Sequence, residues 1–240
     1  MYVEHPVFEN PKDESLKLWR YLNIKKLESF LKTSSLYFCR ADKLKKFDPF
    51  EGTYPKLEYE FINNTPGEDV AKNLHSIMCN DTFVNCWHLN QSESIAMWKL
   101  YTKDNEGIAI QTTVKEFKNS FEKAQEKIRA GLVQYIDYEK QVYYSNTNYI
   151  YSLGSGFIAF IHKRDVYVHE KEYRAIYYNP NADRKEGFFI KVDLSQVMQE
   201  IIVAPYTSNQ KYDSIKKIVS ELLNNGTKVK RSSIEMKPYF

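Results

Sequence analysis

YVHEKEYRAIYYN, residues 167 to 179, is the stretch whose reading decides the fold. Tyr, Val, Ile and Ala dominate it apart from the charges, which predicts a β-strand with successive side chains on opposite faces. Val168, Glu170, Glu172, Arg174 and Ile176 then share one face. Two carboxylates and a guanidinium among apolar residues are costly to bury unless they are paired or used, so this face is the first candidate site. On a helix, Glu170 and Arg174 would instead form a surface ion pair four residues apart, contributing roughly 0.3–0.5 kcal/mol. Spacing alone leaves both readings open.

Upstream of this stretch, LKLWRYL (16–22) reads as a strand, Asn23 as the N-cap of a helix burying Ile24, Leu27, Phe30 and Leu31, and SLYFCRA as a second strand. The loop KLKKFDPFEGTYP follows, punctuated by Pro49, Gly52 and Pro55, with Asp48 and Glu51 as either turn residues or site residues. Residues 56–80 are the least patterned and are expected to hold an insertion with a short helix. TFVNCWH reads as a buried strand, SESIAMWKLYTK as a helix capped near Ser92, and GIAIQTT as a strand. Thr113 and Glu116 form a capping box for a helix expected to bury Val114, Phe117, Phe121, Ala124 and Ile128 and to stop at Gly131. VQYIDYEKQVYY reads as strand or hairpin, and YIYSLGSGFIAFIHKR as an apolar element of either type.

Downstream come GFFIKVDL and EIIVAP, then an amphipathic helix from about Ser208 ended by Asn225 and Gly226, then a last strand in KVKRSSIE. Strands and helices alternate irregularly and no internal repeat appears. The expectation is an α+β fold with a mixed or antiparallel sheet and flanking helices, formed by residues 1–240 as a single domain.

Composition narrows the function classes. A net charge of +3 advertises no strong field, so an anionic ligand or nucleic acid is permitted but not demanded. Cys39, Cys79 and Cys86 are odd in number and form no CxxC pair, which argues against a disulfide framework and a thiolate metal site. No apolar run approaches the ~20 residues of a membrane span, and the polar opening MYVEHPVFENPKDES lacks a signal-peptide core. A cytoplasmic location without a membrane partner is expected.

No Walker loop, HExxH, GxSxG or kinase signature is present, Gly154 and Gly156 lack the rest of a dinucleotide fingerprint, and the five histidines show no metal spacing. What remains is E-x-E and many aromatics. Two carboxylates on one face suit work at a sugar carbon, one stabilising an electron-poor anomeric centre and the other deprotonating the attacking group. With Asp48 or Glu51 the same pair would instead hold a metal for phosphodiester hydrolysis. In a non-catalytic binding module, Lys163, Arg164, Lys228, Lys230 and Arg231 with exposed aromatics would grip a nucleotide or nucleic acid.

Trp19-Arg20-Tyr21, Asp48-Pro49-Phe50-Glu51, Cys86-Trp87-His88, Met97-Trp98-Lys99-Leu100-Tyr101, Gly107-Ile108-Ala109-Ile110 and His169-Glu170-Lys171-Glu172-Tyr173-Arg174 occur in this order, before Arg231-Ser232-Ser233 and Pro238. In this series the chain resembles, almost end to end, a family of uncharacterised bacterial domains common near mobile elements and defence genes. That family is in turn distantly similar to ADP-ribosyltransferases. The resemblance implies NAD as substrate, Arg20 as the residue holding it, and Glu172 as the catalytic glutamate. It makes Glu170 the group engaging the acceptor, and Tyr21, Trp98 or Tyr101 the stacking aromatics. The S-T-S segment of such enzymes is missing, and SLYFCRA offers only Tyr37 or Arg40 in its place. The implied role is a toxin or phage-defence effector that modifies a nucleic acid or protein and is restrained by an antitoxin or regulatory partner.

Overall fold

The structure, a computed structural model, describes residues 1–64, 66–102, 106–143, 155–183, 185–223 and 227–235. In chain order its elements are β1 (Lys17–Leu22), α1 (Ile24–Thr33), β2 (Ser35–Arg40), α2 (Ala41–Leu44), α3 (Lys56–Asn63), α4 (Glu68–Asp81), β3 (Thr82–Leu89), α5 (Ile95–Tyr101), β4 (Ile108–Thr113) and α6 (Val114–Asn119). They continue with β5 (Ile128–Leu132), β6 (Gln134–Ile136), β7 (His162–Arg164), β8 (Glu172–Tyr178), β9 (Gly187–Lys191), α7 (Leu194–Val197), β10 (Glu200–Val203), α8 (Asn209–Leu222) and β11 (Lys228–Arg231).

The fold is mixed α/β, with a mostly antiparallel sheet and flanking helices. β3 is its centre. β8 runs antiparallel along one whole edge of β3, from Thr82↔Tyr178 to His88↔Glu172. On the other edge the partner changes: β2 pairs near the start of β3 through Cys39↔Val84 and Arg40↔Phe83, and β1 pairs near its end through Leu18↔Leu89 and Trp19↔His88. The sheet therefore forks at residues 85–87. From the fork it extends through β1 to β4, β10 and β11, and through β2 to β9, while β5 lies outside β8. β10–β11 is parallel, as is the small separate pair β6–β7.

The two faces of the sheet differ. On one, Leu18, Ile110, Trp87, Tyr173 and Ile201 form a continuous apolar core with Leu27, Phe30 and Leu31 of α1, Phe117 of α6, and Ile215 and Val219 of α8. The Asn23 side chain caps α1 by accepting from the Lys26 N–H, which fixes the angle at which this helix leaves β1. On the other face the apolar surface is divided. Trp19, Tyr21, Ala109 and Ile202 pack under Met97 and Trp98 of α5, while Val84 and Ile176 pack under Cys79 of α4 and Phe157 and Phe160. Between these clusters run Cys86, His88, Glu172 and Arg174, placed on the same face by the β3–β8 register.

Four expectations need correction. The helix starting at Thr113 ends at Asn119, because Ser120 turns the chain: its hydroxyl donates to the Phe117 carbonyl and its own carbonyl accepts from Asp193 N–H. Ile128 is buried as a strand residue of β5, and Gly131 lies inside that strand, where a Cβ would meet the Glu9 carbonyl oxygen at 2.8 Å. The helix at Ile95 is capped by Ser94 rather than Ser92. Residues 56–81 contain two helices, α3 and α4, whose Leu57, Phe61, Val70, Leu74 and Ile77 are exposed.

Residues 155–160 of the ambiguous apolar element form a 3-10 turn, while its earlier part, including Gly154, lies outside the described residues. The helix end at Asn225 and Gly226 and the closing Pro238 also lie outside them.

Candidate active site

The strand predicted over 167–179 begins only at Glu172; Asp165–Glu170 is a 3-10 turn, and Val168 points to solvent. Lys171 joins turn to strand at φ 41° and ψ 55°, a left-handed conformation that a residue with a Cβ rarely adopts. It is held there from both sides: its N–H donates to Val168 O at 3.2 Å and its carbonyl accepts from Leu89 N at 2.8 Å. This reversal brings the Glu170 and Glu172 side chains together, a convergence that strand alternation alone would not have produced.

Both carboxylates are nearly fully buried and meet Lys163 of β7. The Lys163 ammonium donates to Glu170 Oε2 and, at 2.9 Å, to Glu172 Oε1. Arg174 donates to Glu172 Oε2 through Nε at 3.1 Å and Nη2 at 2.8 Å, and its Nη1 donates to Glu51 Oε1 at 2.5 Å and the Phe160 carbonyl at 2.7 Å. Three carboxyls thus face two cations, so one carboxyl is in excess. Burial and the hydrogen bond with Glu172 push the Glu170 carboxyl up to about 7. Burial works the same way on Glu172, but Arg174 and Lys163 overcome it and hold that carboxyl well below the usual carboxylate range. The pair is therefore a carboxyl that exchanges its proton near neutral pH beside a carboxylate that stays ionised, the division of labour that acid–base work at a sugar carbon requires.

The D-P-F-E loop supports this arrangement. Asp48 pairs with Arg164 at 2.6 Å and Glu51 with Arg174, so the loop's two acids bind guanidinium groups on β7 and β8. Among the described residues no group of three His, Cys, Asp or Glu side chains is arranged to hold a metal. Asp48 and Glu51 are engaged by arginine, and the metal-phosphodiesterase reading finds no support in this geometry.

Arg20 leaves β1 on the opposite face from Glu172, since Trp19 is the residue aligned with His88 and Glu172. With strands spaced by about 4.8 Å, the Trp19 and Glu172 backbones are only ~10 Å apart. The Arg20 guanidinium lies at the fork, 5.7 Å from the Trp87 ring centroid, with Nη1 donating a long 3.5 Å hydrogen bond to Cys86 O. Among the described residues that carbonyl is its one hydrogen-bond acceptor. Burial pulls the guanidinium down to about 10, opposed by Cys86 and Tyr101, two groups that also adjoin the acid pair. Beside it opens a groove of about 280 Å³ between α1 and β2, lined by Arg20, Lys26, Ser29, Tyr37 and Phe189 among others. Tyr37 and Phe189 are exposed rings with centroids 5.1 Å apart.

The remaining residues singled out from sequence fall into three places. Tyr21 and Trp98 are buried edge to face at 4.8 Å; the Tyr21 hydroxyl accepts from Ser94 N–H and the Trp98 indole donates to Glu93, so both belong to the wall of the site. Tyr101 is half exposed at the end of α5, and burial together with Glu170 and Glu172 raises its phenol. Arg40 is at the other end of β3, in a two-pronged pair with Asp42 at 2.7 and 2.9 Å.

The basic residues of the binding-module reading do not come together. Lys163 and Arg164 are paired inward, whereas Lys228, Lys230 and Arg231 lie on β11 at a far edge of the sheet.

Sequence reasoning did not single out Lys163 as the partner of the acid pair, nor His88 and Tyr135 beside it. The His88 Nδ1 lies 2.6 Å from the Glu170 carbonyl, and the Tyr135 hydroxyl accepts from Glu172 N at 2.8 Å. The available signal was the C-W-H strand, whose histidine falls on the same face as Glu172 once β3 and β8 are paired.

No curated protein matches the chain. Structures of Thermus sp. 2.9 DarT in complex with NAD+ and with carba-NAD+ are each 10% identical, covering 95% and 94% of this chain and all of theirs, with TM-scores of 0.41. A third, in complex with ADP-ribosylated ssDNA, is 11% identical over 95% of this chain and 99% of its own, with a TM-score of 0.43. The stretch 97–175, which runs from within α5 through Lys163 to Glu172 and Arg174, matches the model of a family described as a protein of unknown function, DUF2971.

Proposed function

We propose that the chain is an NAD-consuming ADP-ribosyltransferase-like enzyme whose reacting centre is the Glu170–Glu172 pair. The observation that carries this reading is two buried carboxyls that meet one lysine ammonium, Glu172 held also by Arg174, near a half-exposed Tyr101 and two strands from a guanidinium whose one hydrogen-bond acceptor among the described residues is a backbone carbonyl. NAD supplies what these groups call for: a diphosphate for Arg20, planar rings for the aromatic surfaces, and a ribose carbon that becomes electron-poor as nicotinamide leaves.

In the reaction the bond between ribose C1′ and the pyridinium nitrogen breaks, and its electron pair departs with neutral nicotinamide. Glu172, ionised at any physiological pH, stabilises the positive charge that spreads over C1′ and the ring oxygen. The acceptor's nucleophile bonds to C1′ and gives its proton to Glu170 in its ionised form. Lys163 and Arg174 fix the orientation of both carboxylates, so little reorganisation accompanies the charge movement. Attachment of ADP-ribose to a nucleic acid or protein suits a cytoplasmic toxin or phage-defence effector, kept in check by an antitoxin or regulatory partner. No helix among the described residues is long and apolar enough to cross a membrane.

The test is nicotinamide release from NAD by wild type and Glu172→Gln, with nucleic acid or cell extract as acceptor. Release by wild type, reduced roughly a hundredfold or more in a folded Glu172→Gln, is the expected result. Equal turnover by the two proteins defeats the assignment.

A second reading has its own observation. Glu172 is bonded to two internal cations, as a purely structural acid would be, and the Arg20 groove alone suits a nucleotide. Nucleotide binding by wild type and Glu172→Gln alike, with no nicotinamide released by either, would select this non-catalytic module.

A further inference from the structure

His88 is 3% exposed and sits next to the last residue of β3, directly opposite Glu172 on one side and Trp19 on the other. Residues directly opposite in an antiparallel ladder project to the same face with Cβ atoms about 5 Å apart, so the imidazole belongs to the row that ends in the reacting carboxylate. Its two nitrogens are in different situations. Nδ1 is 2.6 Å from the Glu170 carbonyl, which can only accept, so Nδ1 carries the proton. Nε2 is buried and has no hydrogen-bond partner among the described residues. Burial disfavours the imidazolium and lowers the pKa, which leaves Nε2 as an acceptor lone pair.

Most buried polar atoms are satisfied, and one that is not requires a reason. Among the described residues no donor reaches it. The Tyr21 ring is 6.3 Å away between centroids and its hydroxyl, turned to Ser94, makes no hydrogen bond to Nε2, while the Trp98 indole is committed to Glu93. Holding the Glu170 carbonyl needs only Nδ1, so this structural duty leaves Nε2 unexplained.

We infer that His88 Nε2 accepts a hydrogen bond from an N–H or O–H group at the nicotinamide riboside end of the bound dinucleotide, making His88 a ligand-binding residue beside Glu172. This rests on the reading of the chain as an NAD-consuming enzyme and adds to it a residue that discriminates between ligands. A site built around a buried acceptor loses affinity for an analogue lacking the matching donor, because the acceptor is then left unpaired.

Two substitutions separate the two nitrogens. In His88→Asn the amide N–H can take over the bond to the Glu170 carbonyl, while nothing reaches the position of Nε2. In His88→Gln an amide oxygen can reach that position, while the bond to Glu170 is lost. Binding of a non-hydrolysable carbocyclic NAD analogue is measured by calorimetry, alongside the melting temperature. The inference expects His88→Asn to keep its fold and bind roughly threefold to tenfold more weakly, the worth of one neutral hydrogen bond, with His88→Gln recovering part of the affinity despite a lower melting temperature. The reverse order, with Asn binding like wild type and Gln weaker, assigns His88 a structural role and overturns it.

Nitrogen-15 NMR of the wild type provides a readout independent of folding in the variants. The His88 Nε2 resonance is expected at the position of a free acceptor without ligand and upfield with the analogue bound. A resonance already at the hydrogen-bonded position and unmoved by ligand means that a buried water satisfies Nε2, and overturns the inference while leaving the enzyme reading intact. Wild-type affinities identify the donor: weakened binding of nicotinic acid adenine dinucleotide selects the carboxamide N–H, and weakened binding of an NAD lacking a hydroxyl on the nicotinamide ribose selects that O–H. Failure of the wild type to bind any of these dinucleotides overturns both readings together.

Discussion

Glu51 accepts hydrogen bonds from both terminal nitrogens of Arg174, a residue 123 positions later in the chain. The contact fastens the D-P-F-E loop to the strand that carries Glu172, and Glu172 takes the remaining side of the same guanidinium. Removing one member of such a buried network leaves uncompensated charge and costs about 3–5 kcal/mol. Arg174→Met is therefore expected to lose stability on that scale in denaturant unfolding. The double variant Glu51→Leu/Arg174→Met should recover part of the loss, since it also removes an acid left without its partner. Additive losses would show that the contact is not energetically coupled.

Lys171 offers a test of backbone strain. At φ 41° its Cβ costs about 1–2 kcal/mol, a penalty glycine escapes at the price of a more flexible unfolded chain. Lys171→Gly should remain within about 1 kcal/mol of wild type. Lys171→Val, branched at the strained carbon, should lose roughly 2 kcal/mol and reduce nicotinamide release, because it disturbs the reversal that brings Glu170 to Glu172. Similar stability for Gly and Val would remove strain from the account.

The proton on Glu170 gives a pH signature whose sign follows from linkage. Its folded-state value, about 7, lies above the ordinary 4.5, so the folded state holds the proton more tightly. Its contribution to stability is present at low pH and is lost as pH rises through this window. Glu172 acts in the opposite sense, its contribution being present above the ordinary carboxylate value and lost in strong acid. His162, pulled down to about 4 by burial, also opposes the trend, so the informative quantity is a difference between proteins. Between pH 8 and pH 5 the wild type should gain melting temperature relative to Glu170→Gln, and its transferase rate should rise as pH passes about 7 and Glu170 becomes able to accept a proton. Parallel melting curves for the two proteins across this range would contradict the assignment.

Much of the sheet was legible because its strands alternate or are bounded by caps. LKLWRYL, TFVNCWH and GIAIQTT became β1, β3 and β4, and Asn23, Thr113 and Ser208 cap the helices that follow them. The overextended helix after Thr113 shows the limit. Phe117, Phe121, Ala124 and Ile128 fit a 3.6-residue period and all are buried, yet only the first lies in the helix, since burial does not reveal which element supplies it. The candidate site was legible in residue type but not in arrangement. Glu170 and Glu172 were placed on one face by strand alternation, whereas the structure brings them together through a left-handed Lys171. Lys163 reads from sequence as a ligand-gripping cation of a binding module, because the 3-10 turn that returns the chain to it carries no distinctive sequence signal. Its two carboxylate partners are only seven and nine residues away.

Gly131 tests the close approach that replaced its expected role as a helix stop. A Cβ there would stand 2.8 Å from Glu9 O, 2.9 Å from Phe8 Cβ and 3.0 Å from Phe8 C, and backbone atoms cannot swing aside as a flexible side chain can. Gly131→Ala should cost about 1–3 kcal/mol by forcing the segment around Phe8 away from β5. The bonds from Leu132 N–H to Glu9 O and from the Asn10 amide to Ala130 O should then exchange faster with solvent. A neutral substitution would mean that the N-terminal segment yields without loss.

Arg20 and Arg40 separate ligand binding from structure within one residue type. Arg40 is committed to Asp42 and to the Lys185 carbonyl, with its backbone N–H on Glu186 O, all at the far end of β3 from Glu172. Arg20 has one long hydrogen bond and a cation–π contact, and its groove carries Lys26 and the Tyr37–Phe189 rings. A guanidinium held ready for a diphosphate gains charge-assisted bonds only when ligand arrives, each about 1.5–3 kcal/mol. Arg20→Gln should therefore bind the carbocyclic NAD analogue at least tenfold more weakly with a melting temperature close to that of wild type. Arg40→Gln should lower the melting temperature and leave affinity unchanged, because Asp42 and the Lys185 carbonyl hold it away from the acid pair. Calorimetry on the two variants decides between them, and equal affinity in Arg20→Gln and wild type would move the diphosphate away from the fork between β1 and β2.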